Sequence, residues 1–183
     1  LVPIMVIIPF LGIPGDVWGI PVQNLIIIAI FAIASYTDHL DGKIARKRNL
    51  VTTFGKFADP LADKILVLSA MLMLVEMDYL PAWIPIIVLA REFVVSGYRL
   101  VAVEKGGKVI AASIWGKIKT CTQMIAIILA FLDLNNFGTF ISGNLTGYSL
   151  VINVLSSSLM LISTIAAVFS GVDYLKGGKE LLK

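Results

Sequence analysis

Apolar residues run along this chain in long blocks separated by short polar stretches, and the blocks set the elements. Residues 1–13 (LVPIMVIIPFLGI) are apolar but fall short of the ~20 residues needed to cross a bilayer. They read as the outer part of a first helix whose start is lost. Pro14, Gly15 and Asp16 predict a turn, with Trp18 at a membrane interface. A second helix is expected from Pro21 to about Arg46, purely apolar through Ala34 and polar at its end. Residues 47–54 form the connection. A third helix starts near Thr53 or at Asp59-Pro60, where proline suits a first turn, and runs apolar to Val75. Glu76, Asp78 and Pro81 mark its exit. A fourth helix, about 82–103, carries Arg91, Glu92, Ser96 and Arg99 on one arc at ~100° per residue. A glycine-containing loop over 104–108 follows. The fifth helix, about 111–133, opens with a polar stripe of Ser113, Gly116, Lys117 and Thr120. Residues 135–148 read as a polar outer loop and about 149–172 as a sixth helix, with Lys176, Lys179 and Lys183 beyond it.

Composition turns this pattern into a class. The 183 residues are 58% hydrophobic with a mean hydropathy of +0.92, too apolar for an ordinary soluble domain. The expectation is an all-α integral membrane protein with six transmembrane helices, forming a single domain over 1–183. Charge then orients it. All fifteen Lys and Arg residues fall on, or within reach of, the side holding residues 38–63 and the C-terminus. The opposite loops contain only Asp16, Glu76, Asp78 and Asp133. By the positive-inside rule that basic side is cytoplasmic, and both termini with it. Membrane lipids, not nucleic acid, are the expected surroundings of these charges. The single cysteine, Cys121, excludes an internal disulfide and reads as a small apolar filler. Because the chain begins with Leu1, a native N-terminal piece is expected to be missing.

The chemistry concentrates in residues 38–63. Asp38 and Asp41 stand three apart, Asp59 and Asp63 four apart, so each pair shares one helical face. Acids at a membrane edge are costly unless they line a wet cavity or bind a cation. Two helices joining these faces would gather four carboxylates, and at an effective dielectric near 20, like charges ~4 Å apart repel by roughly 4 kcal/mol. Such a group must protonate, splay apart or hold metal. An oxygen-only donor set points to a hard cation, Mg²⁺ or Mn²⁺. His39, one step of ~100° from Asp38, turns off the acid face and reads as packing. Simple pairing of the acids with Lys43, Arg46, Lys47, Arg48, Lys56 and Lys64 would explain one aspartate, but not four at these spacings.

The full pattern is D-x2-D-G-x2-A-R-x8-G-x3-D-x3-D, met by Asp38, Asp41, Gly42, Ala45, Arg46, Gly55, Asp59 and Asp63. It resembles the signature of the CDP-alcohol phosphatidyltransferase family, and the likeness extends over nearly the whole chain. The resemblance implies six membrane helices with the active site at the cytoplasmic side between the second and third. It also implies two divalent ions (Mg²⁺ or Mn²⁺), a CDP-linked lipid donor, an alcohol acceptor and a homodimer. By it, Asp38, Asp41, Asp59 and Asp63 ligate metal and Asp63 doubles as the catalytic base. Gly42, Ala45, Arg46, Thr52 and Gly55 belong to the CDP-diacylglycerol site. The residue types suit these roles: the small ones leave room for close helix approach and the nucleotide, and Arg46 offers a planar fork to phosphate.

The acceptor is read from helices four and five. Arg91, Arg99, Lys117 and Lys119 outnumber Glu92, and with Ser113 they suit an anionic, phosphorylated alcohol. Glu92 offsets part of the cost of placing Arg91 mid-helix, and a purely structural ion pair is the competing reading. Residues 91–123 also resemble the bacterial branch of the family that uses glycerol 3-phosphate. The implied reaction moves a phosphatidyl group from CDP-diacylglycerol to glycerol 3-phosphate, releasing CMP, in a bacterial inner membrane. Inositol phosphate or serine is the alternative acceptor. A Mg²⁺ transporter or channel is the rival of another class, but a transport path needs polar residues through the full bilayer depth. Helix two is apolar from Leu25 to Ala34, and helix six has no ionisable residue from Val151 to Gly171, so the polar zone is one-sided.

Overall fold

A computed structural model describes residues 1–47, 53–104, 114–143 and 145–177, with side chains except at 39, 41–47, 53–61, 63, 99–100, 102–104 and 177. The described elements are helical apart from one two-residue hairpin. The chain divides into two compact units, Leu1–Tyr79 and Leu80–Lys183.

In the first unit, α1 (Val2–Ile7) gives way to a 3₁₀ turn (Ile8–Leu11) that closes on Gly12 at φ 56°. Strands β1 (Asp16–Val17) and β2 (Ile20–Pro21) pair antiparallel. Their two-residue loop has Trp18 and Gly19 at φ 55° and 80°, the positive values a type I′ turn requires. Trp18 is thereby thrust outward, 97% exposed, at the position where the sequence places an interface aromatic. Helix α2 spans Val22–Lys47 and α3 spans Thr53–Glu76. Asn24, Ile27 and Phe31 form the buried stripe of α2, and Leu66, Ala70 and Leu74 that of α3, at the i, i+3/i+4, i+7/i+8 spacing of an inward face. These two helices pack on each other, and α1 packs on both.

Of the two starts the sequence allows for the third helix, the structure takes Thr53, so Asp59 and Pro60 lie inside α3. Pro60 lacks the N–H that would bond the carbonyl four residues back, yet the helix continues. The exit at Glu76 is a Schellman stop. Asp78 sits at φ 60°, its N–H bonds Val75 O at 3.1 Å, and Tyr79 N–H reaches Leu74 O at 2.9 Å.

The second unit holds α4 (Trp83–Glu104), α5 (Ile114–Leu132), a 3₁₀ turn (Thr139–Ser142) and α6 (Gly147–Gly177). Helix α6 packs against both α4 and α5. It is longer than the 149–172 expected, because Tyr174, 2% exposed, still packs inward in its last turns. At ~1.5 Å per residue it is about 46 Å long, against a hydrocarbon core of ~30 Å. Its two sides are arranged opposite to those of a soluble helix. Ser156, Ser163, Ala166, Ala167, Ser170 and Gly171 are buried, while Val151, Leu155, Ile162, Ile165, Phe169 and Val172 are exposed. Small residues at 163, 167 and 171 recur every fourth position and let backbones approach closely, as Ala126 and Ala130 do on α5. The buried hydroxyls of Ser163 and Thr164 bond back to Met160 O, each at 2.8 Å. Large side chains outward and small ones inward suit a lipid solvent, which offers helices no hydrophobic drive of their own.

Helices α5 and α6 combine the length and apolarity needed to cross a membrane, with mean hydropathies of 1.3 and 2.0. Helices α2, α3 and α4, at 26, 24 and 22 residues, are also long enough to span. The apolar run of α2 ends at Ala34, with Ser35, Tyr36 and Thr37 between it and Asp38.

Candidate active site

The acid motif lies on two helices that remain regular through it. Asp38 and Asp41 fall on α2 with Gly42, Ala45 and Arg46 in the following turn; Gly55, Asp59 and Asp63 fall on α3. Regular helix on both sides means that the three- and four-residue spacings do place each acid pair on one face. Asp38 is half-buried, and it lies one turn beyond the apolar run of α2 that ends at Ala34. At the preceding residue, Thr37 Oγ1 bonds back to the carbonyls of Ile33 and Ala34, so its hydroxyl is satisfied within the helix. Of the four acids, Asp38 alone has a described side chain, and among the described residues no three metal-binding side chains cluster. The donor set fits a hard divalent cation in type: carboxylate oxygens, paired on each of two mutually packed helices, with no thiolate. Thr52 lies outside the described residues, as does the side chain of His39.

The second cluster lies in the other unit. Arg91 on α4 donates from Nη1 to Glu92 Oε1 at 2.8 Å and from Nη2 to Ser170 Oγ on α6 at 2.6 Å. Lys119 on α5 donates to that same Glu92 oxygen at 2.8 Å. All three charged side chains are largely enclosed, at 12%, 16% and 8% exposure for Arg91, Glu92 and Lys119. Two cations thus share one carboxylate oxygen, and the group carries a net positive charge. Arg91 Nε is buried and has no acceptor among the described residues.

The structure brings Arg91 and Lys119 together on Glu92, the ion pairing that the sequence offers as the competing reading to a phosphate site. Lys117, two residues from Lys119 and so about 200° round α5, is exposed and lies apart from this group. Ser113 lies outside the described residues, and the side chain of Arg99 is not described. Cys121 is exposed rather than a packed filler, since it falls on the outward side of α5, between buried Lys119 and Gln123. Sequence reasoning missed Ser170. One hydroxyl in an apolar run is an ordinary sight, and only its pairing with Gly171 marks a place where something approaches closely.

Helices with lipid-suited outer faces, two of them bearing carboxylates, together with an enclosed ionic group, mark the class of α-helical membrane proteins with polar sites. The chain belongs to the CDP-alcohol phosphatidyltransferase family, whose model matches residues 1–169. It is 42% identical over its whole length to CDP-diacylglycerol–glycerol-3-phosphate 3-phosphatidyltransferase of Bacillus subtilis, covering 91% of that protein. A protein of the same name from Haemophilus influenzae is 34% identical over 97% of this chain and 90% of its own. One from Rickettsia felis is 36% identical over 82% of this chain and 77% of its own.

Proposed function

We propose that this protein transfers the phosphatidyl group of CDP-diacylglycerol to sn-glycerol 3-phosphate, giving phosphatidylglycerophosphate and CMP. The observation that carries this reading is the pair of acid-bearing helices, α2 and α3, regular through the motif and packed together. It is supported by the near full-length match to relatives bearing that activity in their names.

Asp38, Asp41, Asp59 and Asp63 would hold two divalent cations, Mg²⁺ or Mn²⁺. When bound, these would neutralise the donor pyrophosphate and the charge developing on departing CMP. The chain's own groups do the rest. Asp63 takes the proton of the acceptor hydroxyl as its oxygen forms a bond to the lipid-bearing phosphorus. The bond from that phosphorus to the CMP oxygen breaks, and the electron pair leaves with CMP. Arg46 pairs with a donor phosphate, Thr52 contacts the donor, and Gly42, Ala45 and Gly55 leave room for the nucleotide. Arg91 and Lys119 bind the acceptor phosphate together with Arg99 and Ser113, while Lys117, on the other side of α5, contributes positive charge at a distance.

The protein works as one membrane domain of six spanning segments in a bacterial inner membrane. Its motif and both termini are cytoplasmic, and it acts as a homodimer. The deciding experiment incubates purified protein and Mg²⁺ with CDP-diacylglycerol and, separately, glycerol 3-phosphate, glycerol, serine, inositol and inositol phosphate. Phosphatidylglycerophosphate formed from glycerol 3-phosphate alone is the expected result. Equal use of an unphosphorylated alcohol would overturn the acceptor assignment, and no transfer to any of them would overturn the reading as a whole.

A further inference from the structure

One guanidinium is gripped by three helices. Arg91 Nη1 is tied to Glu92 on its own helix and Nη2 to Ser170 on α6. A Cβ added at Gly116 on α5 would stand 3.1 Å from Arg91 Nη2 and 3.6 Å from Ser170 Oγ. One added at Gly171 would stand 3.6 Å from Arg91 Cγ. Gly116 therefore forms the floor of a slot and Gly171 a wall, with the planar head pinned at one end by a carboxylate and at the other by a hydroxyl.

The hydroxyl is the informative member. A guanidinium carries five N–H donors in a fixed plane, and its use in recognising phosphate depends on where that plane points. Glu92 alone leaves the head free to swing about a single contact, and it shares its oxygen with Lys119. Ser170, fully buried, supplies the second contact that fixes the plane. A second carboxylate would do this too, but it would cancel the remaining positive charge. A neutral hydroxyl orients the group and leaves the charge in place.

We infer that Ser170 is a positioning residue for the acceptor substrate, acting through Arg91, with Gly116 keeping open the slot in which the guanidinium lies. This rests on the reading of Arg91 as a ligand of the acceptor phosphate.

The test is steady-state kinetics on the full-length protein, with glycerol 3-phosphate and CDP-diacylglycerol varied in turn, for Ser170→Ala, Ser170→Thr, Gly116→Ala and Arg91→Ala. Because the hydroxyl reaches the substrate only through Arg91, its loss in Ser170→Ala should raise KM for glycerol 3-phosphate by about three- to tenfold, less than loss of a direct hydrogen bond to the phosphate would. KM for CDP-diacylglycerol should not move. Ser170→Thr, which keeps the hydroxyl, should restore much of the loss, and Gly116→Ala should reproduce it by displacing Nη2. If Arg91→Ala raises KM for glycerol 3-phosphate while Ser170→Ala and Gly116→Ala leave it alone, the positioning role is wrong and the acceptor site stands. A fall in kcat at constant KM in Ser170→Ala would mean a purely structural hydroxyl and would also overturn it. If Arg91→Ala itself leaves that KM unchanged, the acceptor reading fails first. Should Ser170→Ala not fold, Gly116→Ala decides alone.

Discussion

Asn153 Nδ2 lies 2.7 Å from Asp133 Oδ2, and both residues are buried. Ser156 Oγ donates to the same oxygen at 2.7 Å, while Asn135 donates to Oδ1 from its side chain at 3.0 Å and its backbone at 3.3 Å. Asn153 in turn accepts from Phe140 N–H at 2.8 Å, and Ser157 accepts from Gly138 N–H at 3.0 Å. The loop after α5 is thus tied to α6 through one carboxylate and its partners. Arg91 and Ser170 tie α4 to the other end of α6, some 25 Å away at ~1.5 Å per residue.

Asp133→Ala should therefore destabilise without touching the chemistry. It strands several enclosed donors, at a cost of about 3 kcal/mol in sum. For a chain of this size that lowers Tm by roughly 6–12 °C. Thermal unfolding of the purified protein in detergent is the measurement, with both KM values expected to match wild type. An unchanged Tm would show that the loop does not depend on this carboxylate.

Chelation should silence the enzyme. Activity is expected to vanish in EDTA and return with Mg²⁺ or Mn²⁺. Asp38→Asn, Asp41→Asn and Asp59→Asn should each cost at least about a hundredfold in turnover, since charge neutralisation of this kind is worth several kcal/mol. Full activity in chelator would refute the assignment of these acids to metal.

Asp63 is expected to separate binding from catalysis. As a base it contributes roughly 10²–10⁴ to the rate. Asp63→Asn should thus abolish transfer yet weaken CDP-diacylglycerol binding much less than Asp41→Asn does. Direct titration of the donor against both variants decides it: equal, large losses would make Asp63 a ligand only.

The acceptor site makes a prediction that ranks two lysines. Lys119 is enclosed beside Glu92 and Arg91, whereas Lys117 is exposed. Lys119→Ala should lower kcat/KM for glycerol 3-phosphate by roughly ten- to a hundredfold. Lys117→Ala should cost clearly less. The reverse order would move the phosphate to the other side of α5.

Much of this was legible from apolar runs alone. The five long helices lie within a few residues of their expected bounds, except for the extended end of α6, because block length and flanking polar residues dictate them. The motif on α2 and α3 was equally plain, since spacing survives whatever the surroundings do. The misses have local causes. Trp18 at positive φ defies the preference of a bulky residue, so no propensity rule finds the hairpin at 16–21. Pro60 left two starts open for α3, and the structure takes the earlier one at Thr53, with the helix running on through Pro60. Ser170 was invisible because its partner is 79 positions away, on another helix.

The arrangement of α6 bears on how the chain can drift. At Val151, Leu155, Ile162 and Phe169 one bulky apolar residue should replace another almost freely, because acyl chains mould themselves to any outline. At Ala167 and Gly171 a single added methyl meets neighbouring helix rather than fluid. An exchange table compiled from water-soluble proteins would rank these positions in reverse, forgiving the alanine and guarding the phenylalanine. Detergent micelles, amphipols or nanodiscs will therefore shelter the helix only as well as they imitate a liquid that yields on contact.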